Sequence, residues 1–191
     1  MLSDDDYVLL HEVRIRGIVE IDEQSQHAVV VAHLTEVGFV APVRRAIRIT
    51  NEGRVAHAAW ARVDVGTDVE QAVARGYEAF LPLNAELIRL CNDWQVRPGN
   101  VPNDHRDAQY DWSVVDRLRA LDERAAPVLR RVGRVLERFD AYPRRLRVAL
   151  QHVDEGETEW FTSPRIDSYH TVWMQVHEDL LLALGRERAG E

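Results

Sequence analysis

Lysine is absent from the chain, and all 24 of its basic residues are arginine. GC-rich coding favours that bias, and it points to no function. Cys91 is the only cysteine, which excludes a disulfide framework. No apolar run approaches the roughly 18 residues of a membrane span, so no membrane partner is expected. The opening residues Met1-Leu2-Ser3-Asp4-Asp5-Asp6 are acidic where a secretory signal would be basic, and the expectation is a cytoplasmic protein. A phosphate-binding glycine loop, a dinucleotide fingerprint and a glycine-flanked serine nucleophile are all missing. No catalytic residue, no cofactor and no enzyme activity are therefore expected. What remains is an ordinary globular composition: 191 residues, 46% hydrophobic and 29% charged, long enough to bury a core without staples. The net charge of −8 argues against a general nucleic-acid coat, because non-specific binding runs on phosphate neutralisation. It leaves room for a local basic patch, and Arg44, Arg45 and Arg48 fall within five positions.

The composition changes near residue 66. Before it, short segments mix helical and β-branched character; after it, nearly everything reads as helix. The expected fold is mainly α, with a small α+β domain over 1–66 and an all-α domain over 67–191. A first helix is expected over 5–16, with Asp4 to Asp6 favoured at its N-terminus and Gly17 at its end. A second is expected over 24–37, carrying Ala28, Val31, Leu34 and Thr35 on one face and stopping at Gly38. The alternation from Val43 to Ile49 predicts a small hairpin, and Thr50 suits the N-cap of the next helix. A long helix is expected over 68–94, kinked or divided by Pro82. Residues 96–110 read as the longest loop. A helix to about Arg138 follows, then a shorter one from Pro143 to Val153 and an acidic loop over 154–162. Ser163-Pro164 reads as the start of a last helix that runs to Leu184.

The order helix, helix, arginine-rich hairpin, helix carries the functional signal. Leu34-Thr35-Glu36-Val37-Gly38-Phe39-Val40, followed by Ile47-Arg48-Ile49-Thr50-Asn51-Glu52-Gly53-Arg54, resembles the end of a MarR-like winged-helix domain. The resemblance implies a transcriptional regulator whose second helix enters the major groove. Gln24, Gln26, His27 and His33 would face base edges, and Arg44 and Arg45 on the wing, with Arg48 beside them, would contact phosphates. Two features depart from the pattern: only about seven residues separate Gly17 from the second helix, and that helix has no arginine. The region after Val69 resembles an all-helical domain of actinobacterial proteins described as transcriptional regulators, a domain with no defined activity. The resemblance rests on Asn92-Asp93-Trp94-Gln95, Pro102-Asn103-Asp104-His105, Asp111 and the stretch from Asp167 to Leu181. Winged-helix readers usually pair as dimers on two half-sites, so a homodimer seamed by the long helix is expected.

On the last helix His170, Trp173, His177, Leu181 and Leu184 share one face by 3.6 periodicity. Buried polar atoms need partners, and Asn84, Trp94, Asn103, Asp104 and His105 are chemically suitable. Three readings compete: a satisfied network that fixes the loop, a pocket for a small polar effector, or a metal site built on His170, His177 and Asp104 or His105. The metal reading is weak geometrically, since positions seven apart lie roughly 10 Å apart along a helix. Two functions stand as alternatives to a DNA-binding regulator. One is a ligand- or metal-binding protein or enzyme centred on His105, His170 and His177. The other is a protein-interaction adaptor that keeps a degenerate winged helix. Cys91 reads as a packed thiol, the acidic run Asp154 to Glu159 as a solvated turn, and the arginines from Arg130 to Arg147 as a solvated face.

Overall fold

The computed structural model describes residues 2–21 and 27–186. It is mainly helical and divides into two compact units, one made of residues 1–65 and 178–191 and the other of 66–177. The expected division after residue 66 lies one residue from the observed one. The last fourteen residues, expected with the helical domain, group with the first unit.

In the first unit, helix α1 spans Asp4–Arg16. Ser3 and Asp6 form a reciprocal capping box at its start, and Gly17, at φ 80, ends it. Strand β1 (Ile18–Glu20) follows, in the stretch that the sequence left undecided. Helix α2 spans Ala28–Glu36; its expected start, with Gln24 and Gln26, lies outside the described residues. Strands β2 (Val40–Val43) and β3 (Ala46–Ile49) form the predicted hairpin around a two-residue turn, Arg44-Arg45. The sheet is antiparallel with β3 in the middle, in the order β1-β3-β2. Val19 faces Ile47 and Val40 faces Ile49 across the strands. These apolar pairs share the inner face, where Leu9, Leu10 and Val13 of α1 and Leu34 of α2 complete the core. Arg48 lies on the other face, paired with Ile18 and Ala41.

Helix α3 spans Asn51–Ala61 with Thr50 as its N-cap, as predicted: the Thr50 hydroxyl accepts from the Gly53 amide at 3.0 Å and donates to the Gly38 carbonyl at 2.7 Å. One side chain thus caps a helix and ties it to the end of α2.

The second unit is built on two long helices, α4 (Asp68–Gln95) and α5 (Ala108–Gly133), which pack against each other. Three- and four-residue steps in the sequence predict an apolar stripe on each: on α4, Val73, Phe80, Leu87, Leu90 and Trp94 are buried while Val69, Tyr77 and Cys91 are half-buried, and on α5, Val115, Leu118, Leu121, Ala125, Leu129 and Val132 are buried while Leu136 and Phe139 lie beyond the helix end. Pro82 does not divide α4, which continues through it, and α5 likewise continues through Pro127. The expected loop over 96–110 contains a small ribbon, β4 (Val96–Arg97) against β5 (Val101–Pro102). Helix α5 ends sooner than predicted, and a 3₁₀ turn over Glu137–Phe139 leads to α6 (Tyr142–Asp154). A single turn, α7 (Glu159–Thr162), precedes α8 (Tyr169–Leu184). The predicted start of α8 at Ser163-Pro164 is five residues early. The Thr171 amide donates to the Ser168 hydroxyl at 3.2 Å, while the Ser163 carbonyl accepts from the hydroxyls of Ser168 and Thr171. No helix among the described residues is long and apolar enough to cross a membrane.

Candidate functional site

The predicted nucleic-acid residues separate into two groups. Arg44, Arg45 and Arg48 are all exposed, as a wing requires. Arg44 has φ 57, in the left-handed region that a side chain rarely adopts. Of the residues expected to read bases, Gln24 and Gln26 lie outside the described residues. His33 turns to the Asp6 carboxylate of α1, with Nδ1 at 2.9 Å from Oδ1 and 3.1 Å from Oδ2. Burial pushes the Asp6 carboxyl up, but bonds from the Ser3 amide, the His33 ring and the Ser3 hydroxyl outweigh it and hold it below the ordinary carboxylate value. His27 is exposed and lines a cavity of about 230 Å³ with Leu9, Glu12, Val19, Glu20 and Ile21. The outward positions of α2 are Val29, Ala32, Thr35 and Glu36, of which Val29 is 80% exposed.

A second cluster in the first unit has no local signature in the sequence. His11 of α1 lies between His57 of α3 and Asp179 of α8. Its Nδ1 is 2.9 Å from His57 Nε2, and its Nε2 is 3.2 Å from Asp179 Oδ2. His57 and Asp179 are fully buried. The two imidazoles stack at 5.1 Å, and Trp60 packs at 5.7 Å from each. Tyr7 stacks on the other ring system of this group, with its ring 5.3 Å from Trp60. Beside them Arg14 donates to Glu178 at 2.6 Å. These residues come from three helices remote in sequence, so no spacing rule could find them.

The residues predicted to bind a ligand in the second unit form two clusters rather than one. In the first, the Trp173 indole donates to Asn84 Oδ1 at 2.9 Å, both residues buried. Phe80 stacks on Trp173 at 4.7 Å, and His177 packs at 5.4 Å from Phe80 and 6.0 Å from Tyr77. The second lies about 15 Å further along α4, ten residues on. There the Asn103 amide donates to the Trp94 carbonyl at 3.0 Å and to Asp111 at 2.7 Å, and His105 Nδ1 lies 3.0 Å from the other oxygen of Asp111. Trp94 packs on His105 at 4.5 Å and on Phe161 at 4.6 Å. Asp111 is thus the carboxylate that gathers this loop. Asp104 takes no part: it is exposed and accepts from the Arg106 amide. His170 is half-buried, and burial pushes its imidazole below the ordinary value.

Other chemistry is sparse. Burial pushes the Cys91 thiol up to about 12, so it is almost wholly un-ionised at neutral pH and a poor nucleophile. His152, Glu155 and Glu157 offer donor atoms within 4.8 Å of one another and could hold a cation. There His152 Nδ1 already faces Glu157 at 3.2 Å and its ring stacks on Trp160. A cavity of about 240 Å³ between α4 and α5 is lined by Ala72, Arg75, Gly76, Ala79, Val128 and Arg131, none of them a predicted ligand residue. The chain matches no protein-family model, no curated protein and no solved structure.

Proposed function

We propose that the first unit is a DNA-binding module of winged-helix type, and the chain a transcriptional regulator. The observation that carries this reading is Arg44. A tight hairpin turn would be more relaxed with glycine at the left-handed position, yet an arginine stands there, next to a second one and near a third on the outer face of β3. Strained backbone at an exposed tip supports a role for the side chain it presents. The β1-β3-β2 sheet with its hairpin followed by α3 supports this reading, although among the described residues one helix, α2, stands between β1 and β2 where the winged-helix pattern has two. Because the described outer face of α2 offers Val29, Ala32, Thr35 and Glu36, binding is to the phosphate backbone, with little discrimination among sequences. Pairing through the exposed stripe Leu81, Ala85 and Ile88 of α4 would place two modules on one duplex.

Fluorescence anisotropy on duplex DNA at several salt concentrations tests this. Wild type should bind, and each wing arginine removed should lower the salt slope by about 0.9, so the Arg44→Ala/Arg45→Ala double variant should lose about 2. Absence of binding at low salt, or an unchanged slope in the double variant, would count against it.

A second reading is favoured by one observation. Val29, 80% exposed beside Ala32, is better suited to an apolar partner surface than to a base edge. In that reading the module is a protein-interaction adaptor. Wing substitutions would then be neutral, while Val29→Asp would abolish its contact.

A further inference from the structure

We infer that the cavity between α4 and α5 is a binding site for a small organic carboxylate, held by Arg131 and Arg75.

The two helices run antiparallel, and ion pairs stitch their seam. Arg117 of α5 donates to Asp93 of α4 at 2.7 Å, and Arg124 donates to Glu86 at 2.6 Å. From one pair to the next the step is seven residues forward on α5 and seven backward on α4. Seven residues make about two helical turns, so successive rungs fall on the same face. The next rung on α5 is Arg131, and the position that answers it on α4 is Ala79. The arginine series continues and the acid series stops: a methyl stands where the first two rungs have carboxylates. The cavity opens at that rung. Its wall contains both Ala79 and Arg131, and its volume is about 240 Å³. A second guanidinium joins from α4, because Arg75 lies one turn from Ala79 on the same face and lines the same cavity.

The third rung thus carries two positive charges and no negative one. Arg75 and Arg131 make no hydrogen bond and no ion pair among the described residues. Glu78, three residues from Arg75, is exposed and pairs with neither. At the neighbouring rung the bond from Arg124 holds the Glu86 carboxyl below its ordinary value, so an arginine of this seam stabilises an ionised carboxylate. A free carboxylate between Arg75 and Arg131 completes the missing rung and offsets two like charges that face one cavity. The rest of the wall suits the other end of such a molecule: Ala72, Gly76, Ala79 and Val128 carry no polar side-chain atom. Gly76 keeps the floor low, since a Cβ there would overlap Val132 Cγ2 and hold the helices apart. At about 240 Å³ the space is smaller than the pockets of drug-sized ligands, which fits a compact acid rather than a nucleotide or a peptide. The site lies within the second unit and stands whether or not the first unit binds DNA.

The test uses the full chain with isotope-labelled alanine methyls, of which Ala72 and Ala79 report the cavity wall by NMR, assigned with Ala72→Ser and Ala79→Ser. Acetate, succinate and benzoate are titrated at constant ionic strength, with chloride and the neutral benzamide as controls. At least one of the three acids should shift both methyls along a saturating curve with a Kd below about 10 mM, and neither control should. Arg131→Gln, Arg75→Gln and Ala79→Glu, the last read at Ala72, should each weaken that binding at least about tenfold. Ala79→Glu is the sharpest of these, because it supplies the acid rung from the chain itself at an exposed helical position that accepts glutamate. Absence of saturation with all three acids, equal saturation by chloride or benzamide, or an affinity within about threefold of wild type in Arg131→Gln or Ala79→Glu would each overturn the site. Methyl shifts that follow protein concentration without any probe would place an acid of a second copy there, and would overturn the free-ligand reading.

Discussion

Gly53 of α3 lies directly against the backbone of Phe39: a Cβ at this position would come within 2.9 Å of the Phe39 carbonyl carbon and closer still to its oxygen, with Ile49 Cγ1 at 3.0 Å on the other side. The obstacle is backbone, which cannot swing aside as a side chain would. Gly53→Ala should therefore destabilise the first unit by about 2–3 kcal/mol, the range of overpacking a tight site. Urea unfolding measures it. A loss under 0.5 kcal/mol, on the scale of an ordinary surface change, would mean that α3 has room to shift.

Arg44→Gly should move stability and DNA affinity in opposite directions. The left-handed backbone at φ 57 is relaxed for glycine, so the hairpin should gain about 1 kcal/mol. The loss of a wing cation should weaken DNA binding. Melting temperature and anisotropy on one preparation separate the two effects, and a variant that is both less stable and equally good at binding would contradict both.

Asp6 makes stability depend on pH in a definite sense. Its carboxyl is held below the ordinary value in the folded state, so its contribution is present above that ordinary value and is lost as pH falls through the folded one. Asp6→Asn should thus cost about 1–2 kcal/mol at neutral pH, as expected for weakening a charged hydrogen bond. The gap to wild type should close as pH falls below about 4. Denaturant melts at pH 7 and pH 3 check this; a gap that widens in acid would reverse the assignment.

Asn84 and Trp173 form a bond closed to solvent, and breaking it strands an indole N–H. Asn84→Ala should cost about 2–3 kcal/mol. A double-mutant cycle with Trp173→Phe should return a coupling of at least about 1 kcal/mol, since the two substitutions remove the same bond. Additive losses would show that the pair is adjacent without being coupled.

Local signals were legible where one residue decides the geometry. Thr50 caps α3 as its sequence neighbourhood predicts, Gly17 ends α1 and Gly185 follows the last residue of α8. The apolar stripes of α4 and α5 were readable because burial follows the 3.6-residue period there. Proline was a poor guide to where a helix divides or begins. Pro82 interrupts only one bond in a helix held along its length by α5, so packing carries α4 through it. Pro164 follows a good capping residue, but the helix waits for Ser168. The candidate site was half legible. Asn103 and His105 do fold onto Trp94, yet the acid that holds them is Asp111, whereas Asp104 faces solvent. His11, His57 and Asp179 could not be found by pattern, because three helices distant in sequence bring them together and none carries a periodic mark of it.

The division of the chain also orders events in time. The first unit includes the end of α8 from Glu178 onward, and all of the second unit, 66–177, is synthesised between it and residue 65. The partner acid of His11 and His57 therefore leaves the ribosome on the order of ten seconds after His57 does. During that interval the two imidazoles lack the Asp179 carboxylate, and the Val63 amide lacks the Ala183 carbonyl that it donates to. The contiguous second unit can complete its core in the meantime, so the module that starts the chain is the last to be finished.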